Sequence, residues 1–135
     1  LFEKSLRIRE KVLGEKHPNI ATSYNNLAYV YGMQGEYKKA QELYKKSLWI
    51  QKRVLGEGHP DTAQSYNNLA GEYFRQRQYK VALACLFKSY SVLMFRLGKN
   101  HPNTQIVHEN MEIVYLEWNP DGDFEQWLEE QMKEQ

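Results

Sequence analysis

After His59-Pro60, apolar side chains fall at Ala63, Tyr66, Leu69, Ala70 and Tyr73. Steps of three and four place them on one face of a helix. From about Tyr37 to Leu55 a second stripe runs through Ala40, Leu43, Tyr44, Ser47, Leu48, Ile50, Val54 and Leu55. No stretch alternates with period two for long enough to make a strand. The pattern predicts helices over 1–13, 19–33, 37–55, 61–75, 79–97 and 103–118. In the tail, Phe124, Trp127, Leu128 and Met132 share one helical face with acids between them.

The breaks agree with these boundaries. Pro60 suits the first helical position, where its missing N–H costs nothing and its φ is preset. Asp61 sets a negative charge against the positive end of the helix dipole. Gly14, Gly56 and Gly98 each follow a predicted helix, where a left-handed residue closes the C-terminus. The hairpin turns are short: Gly35-Glu36 in one place and Arg77-Gln78 in another.

The elements repeat. In a register of 42, residues 1–42 and 43–84 are identical at 23 of 42 positions. Ser23-Tyr24-Asn25-Asn26-Leu27-Ala28 returns as Ser65-Tyr66-Asn67-Asn68-Leu69-Ala70, and His17-Pro18 returns as His59-Pro60 and His101-Pro102. Residues 85–126 match the second copy at only 9 of 42 positions. A fixed period near 40 marks a solenoid, in which each unit buries its face on the next.

Composition narrows the function. The 135 residues carry 18 basic and 17 acidic side chains, a net charge of +1 that gives no footprint for nucleic acid. Cys85 is the single cysteine, so no intrachain disulfide forms and the chain leans toward a reducing, cytoplasmic setting. No run approaches the roughly 20 apolar residues of a membrane helix. The chain opens inside a helical pattern, which reads as a piece of a longer array.

The motif order resembles the tetratricopeptide repeat (TPR). Tyr24, Leu27, Ala28 and Tyr31 stand in its first-helix slots, with Ala40, Tyr44 and Ser47 in the second helix. The next copy has Tyr66, Leu69, Ala70 and Tyr73, then Ala82, Leu86 and Ser89. The 42-residue unit, with Val-Leu-Gly before His-Pro and then Tyr-Asn-Asn-Leu-Ala, is similar to the kinesin light chain variety. The resemblance covers residues 1 to about 118 and weakens in the third copy, where His108, Glu109 and Glu112 replace Tyr66, Asn67 and Ala70. It implies an all-α, right-handed helical-hairpin solenoid. Its parts are a half repeat at 1–14, repeats at 15–56 and 57–98, a degenerate repeat at 99–118 and a capping helix at 119–135.

In that family the first helix of each pair lines a concave groove. The resemblance therefore implies groove positions at Thr22, Asn25, Asn26, Tyr29 and Met33, at Gln64, Asn67, Asn68, Gly71, Phe74 and Arg75, and at Ile106, Glu109, Asn110, Ile113 and Glu117. Asn26, Asn68 and Asn110 form a ladder, one rung per unit. An Asn amide both donates and accepts, so the ladder is suited to the backbone of an extended peptide. Asn25 and Asn67 read as structural. Arg75 is the one cation placed to hold a carboxylate, with Glu109 and Glu117 against it.

The expected function is a protein-interaction scaffold whose partner is a protein or peptide, with no enzyme activity, cofactor or metal and neither nucleic acid nor membrane as partner. Two alternatives stay open: a structural spacer or self-assembly segment joined through its exposed repeat ends, and a regulatory or sensor region of a larger signalling protein. The His-Pro pairs read as helix starts. They recur a repeat apart, on the order of 10 Å, whereas one ion needs ligand nitrogens at about 2 Å. Lys38, Lys39, Lys45, Lys46, Lys52 and Arg53 read as a solvated face, Cys85 as a small buried apolar residue, and His108 as a packing residue.

Overall fold

The computed structural model describes residues 18–134. The predicted helix over 1–13, with Gly14 and His17, lies outside them. Six helices follow: α1 (Pro18–Met33), α2 (Tyr37–Val54), α3 (Pro60–Arg75), α4 (Tyr79–Leu97), α5 (Pro102–Trp118) and α6 (Phe124–Lys133). No strand occurs among the described residues. Helices α1 and α2 form one hairpin and α3 and α4 the next. Between the hairpins α2 packs on α3, and α4 packs on α5.

The local signals act as expected. His59 and His101 cap α3 and α5, each ring Nδ1 accepting the backbone N–H two residues on, at 3.0 and 3.1 Å. Such a cap satisfies one of the donors that a helix start leaves orphaned. Pro60 and Pro102 open the two helices behind these caps. Gly35, Gly56 and Gly98 have φ of 81, 91 and 93°.

Arg77, at the position equivalent to Gly35, also takes a positive φ, 60°. A side chain there crowds the backbone, and glycine does not. Arg77→Gly is expected to stabilise the protein by up to about 1 kcal/mol, read as a higher urea midpoint at unchanged slope. A lower midpoint would show that the turn carries no such strain.

Burial divides into three clusters along the array. Ile20, Ala21, Tyr24, Leu27 and Ile50 make the first. Ala28, Ala40, Tyr44, Leu48, Tyr66 and Leu69 bind the first hairpin to the second. The third and largest joins α3, α4, α5 and α6, from Ala63 and Leu86 through Met111 and Tyr115 to Phe124 and Leu128. Each cluster sits between neighbours in sequence, as in a solenoid whose units touch only adjacent units.

Two positions correct the sequence pattern. Val54, placed on the apolar face of α2, is 45% exposed, whereas Gln51 is buried. The Gln51 amide oxygen accepts from the Ser65 hydroxyl across the joint to α3, so a polar contact holds that end of the face. Cys85 is only half-buried, against the second and third clusters. Burial still pushes its thiol up to about 11, above the ordinary range, so at neutral pH it is a thiol and a poor nucleophile.

The last helix is held by aromatic rings. Phe124 meets His108, Tyr115 and Trp127 at centroid distances of 5.3, 5.8 and 6.0 Å. His108 also lies 5.8 Å from Tyr90, and its Nε2 stands 3.5 Å from Glu125. It therefore packs between α4 and α6, in the role expected of it.

Candidate functional site

The first helices of successive units meet directly. A Cβ on Gly32 would stand 2.9 Å from Glu72 Oε1, so the lack of a side chain on α1 makes room for a side chain of α3. Between α3 and α5, Asn110 Nδ2 donates to Asn67 Oδ1 at 3.2 Å.

Most of the residues assigned to the groove are accessible. Thr22, Asn26, Gln64, Glu109 and Glu117 are exposed. Four large apolar side chains join them on the same helices: Tyr29 (61%), Met33 (70%), Ile106 (50%) and Ile113 (55%). Asn25, Asn67, Asn68, Phe74 and Asn110 are half-buried.

The Asn residues do not share one environment. Asn68 Oδ1 accepts from Gln64 Nε2 of its own helix at 3.1 Å. Asn110 is bound to Asn67, so the cross-helix contact runs between staggered positions rather than along the expected rungs. Asn25 Oδ1 is buried and has no hydrogen-bond partner among the described residues.

A cavity of about 230 Å³ opens between α3 and α5, lined by Asn67, Ala70, Gly71, Phe74, Leu86, Asn110, Ile113 and Val114. Its cause is legible in the repeat. Gly71 stands where the neighbouring units have Tyr29 and Ile113, and a Cβ there would meet nothing within 4 Å.

Arg75, the one cation placed at the groove, already has a partner. Its guanidinium is bound to the Glu72 carboxylate in the turn below and lies 5.8 Å from the centre of the Tyr37 ring. Glu72 is 2% exposed, and its Oε2 is buried with no partner among the described residues. Burial holds its carboxyl above the usual carboxylate range, against the pull of Arg75. Nearby Tyr44 is pushed up to about 12 by burial and then by the Glu72 charge. Arg75 is thus committed to a buried acid and is not a free clamp for a partner's carboxylate. Sequence reasoning missed Glu72, although a signal was present: its slot is held by Val30 and Val114 in the other units.

The basic run on α2 is exposed throughout, from Lys38 to Arg53. Lys45 and Lys52 lie 6.0 and 5.9 Å from the Tyr73 and Tyr66 rings, and Lys52 pairs with Glu57 at 3.0 Å.

A tetratricopeptide repeat family model matches residues 1–52 and 34–93, well over half of the chain. The chain belongs to the tetratricopeptide repeat family. Among solved structures it is similar to the nearly identical TPR-like repeats of a candidate kinesin light chain from Podosopora anserina. A single-substitution form of those repeats shows 26% identity and a TM-score of 0.79 over 85% of this chain and 54% of that one. A second structure of the repeats gives 26% and 0.78, over 84% and 54%. BtubC (BKLC) from P. vanneervenii shares the fold, with a TM-score of 0.81 at 24% identity, over 96% of this chain and 50% of that one. The chain therefore spans about half the length of these structures. No curated protein matches the sequence. This TPR array is of the kinesin light chain type, and among its described residues no helix is long and apolar enough to cross a membrane.

Proposed function

We propose that this TPR array holds a peptide or a helix of another protein along the face built from α1, α3 and α5. One observation carries the reading: Tyr29, Met33, Ile106 and Ile113 are half or more exposed on those helices, and Ile113 lines a cavity that no side chain fills. Apolar side chains exposed singly need no explanation, but several on one face of a folded protein mark a contact surface. The helices that carry them are already packed, so a partner would meet a preformed surface at little ordering cost. Asn26 and Asn68 supply amides along the same face for the backbone of the partner. TPR arrays are in general protein-interaction scaffolds, which supports the reading at that level.

The test compares capture from source lysate by three forms: wild type, Asn26→Ala/Tyr29→Ala/Met33→Ala, and Trp49→Ala on exposed α2. All three changed residues of the first variant are exposed, so helicity and melting should match the wild type. The expected result is a partner retained by the wild type and by Trp49→Ala but lost from the triple variant. Loss from Trp49→Ala alone would move binding to the second helices. Equal retention by all three would remove the α1 part of this face as the site.

A further inference from the structure

The notch between α3 and α5 is selective in size and in charge. At about 230 Å³ it is smaller than the roughly 300 Å³ at which small-molecule pockets begin, and has room for one bulky side chain. Ala70, Phe74, Leu86, Ile113 and Val114 make its walls apolar, and the paired Asn67 and Asn110 amides form its polar edge.

The surroundings are anionic. Glu109 and Glu117, both exposed, stand one turn to either side of Ile113 on α5. Helix α5 contains no Lys or Arg, and the only cation of α3, Arg75, is bound to Glu72. The net charge of +1 conceals the bias: residues 100–135 hold nine carboxylates and a single base, Lys133, whereas residues 1–99 hold 17 bases and eight acids. A cationic peptide is drawn to such a surface and an anionic one is repelled.

We infer that the notch accepts a single bulky apolar side chain from a peptide that carries Lys or Arg on both sides of it. The inference rests on the groove reading above and adds the class of partner. The anchor fills the space left by Gly71, and the flanking cations face Glu109 and Glu117.

Labelled protein is titrated by NMR with Lys-Lys-Leu-Lys-Lys, Lys-Lys-Ala-Lys-Lys and Glu-Glu-Leu-Glu-Glu, reading the Gly71 and Ile113 amides. The first peptide should bind at least about tenfold more tightly than the others, a gap of the size that anchor burial and rim charge each produce. Gly71→Leu should weaken it about tenfold by filling the notch, without lowering the melting temperature, since its side chain meets open space and Leu is the better helix former. Glu109→Lys/Glu117→Lys should reverse the preference toward the acidic peptide.

If the acidic peptide binds the wild type best and Gly71→Leu abolishes that binding, the charge assignment is wrong and the groove reading survives. If the Ala peptide binds as well as the Leu peptide, or Gly71→Leu changes nothing, the notch is not an anchor site. If the basic Leu peptide moves neither amide, the inference is overturned whatever the capture experiment shows.

Discussion

Phe124→Ala should cost about 3–5 kcal/mol, the usual range for emptying a buried Phe site. The ring is 4% exposed and is gripped from three sides by His108, Tyr115 and Trp127. Helix α6 has ten residues and touches α5 over a short stretch, so it has little else to hold it. Phe124 and Leu128 are its two buried residues. With Phe124 gone, α6 should detach and leave the apolar side of α5 in water. Hydrogen exchange would then show protection lost across α5 and α6 and kept in α1 and α2, because each cluster contacts only its neighbour. Phe124→Leu, which keeps most of the volume, should recover much of the loss. A cost below about 1 kcal/mol, or exchange that rises uniformly over the array, would mean that α6 does not cap it.

The second large effect concerns the joint between α1 and α3. Arg75→Ala should cost about 2–3 kcal/mol at neutral pH, because it leaves the buried Glu72 carboxylate with no compensating charge. Glu72→Val should be neutral or stabilising, since it installs the residue that the neighbouring units carry and leaves Arg75 free to enter solvent. The two substitutions should not add: in the Glu72→Val background, Arg75→Ala should cost little, and the cycle isolates the coupling.

The pH dependence has a definite sign. The folded state raises the Glu72 carboxyl above its ordinary value, so in this region the native protein binds more protons than the unfolded chain. The contribution of Glu72 is therefore most favourable below the unfolded carboxylate range, and stability falls as pH rises from there through the raised folded value. The penalty of Arg75→Ala should shrink as pH falls through the same window. Urea unfolding between about pH 3 and pH 7, with Glu72→Val as the reference, reads the difference directly. A Glu72→Val protein with the wild-type slope would show that Glu72 is not the group responsible.

The helices were legible because each was signalled in two ways. Around α3, the apolar spacing from Ala63 to Tyr73 named the face, and His59-Pro60 with Asp61 named the start. The repeat register then carried the same assignment to neighbouring units. Where the register was informative and went unread, it concerned departures from it. Glu72 among valines and Gly71 between Tyr29 and Ile113 are single-residue breaks, and they coincide with the buried acid and with the notch. The Asn67–Asn110 bond is of another kind. Which of two adjacent Asn side chains reaches across depends on the stagger between α3 and α5, a tertiary quantity that periodicity within one helix does not contain. The exposure of Val54 has the same origin, because the Gln51–Ser65 contact belongs to two helices at once.

Separate cores also bear on how the array responds to mechanical load. A globular domain with one core gives way as a unit. Here the hydrophobic cluster that joins the first hairpin to the second is distinct from the one that holds the last helix, and the first-helix contact across that joint runs through a half-satisfied carboxylate and a glycine. Tension applied along the solenoid would be borne in series by these joints, and the weakest would part first while the hairpins on either side kept their helices. The array then lengthens in steps, one joint at a time, and a ligand lying across a joint would act as a splint that sets the order of the steps.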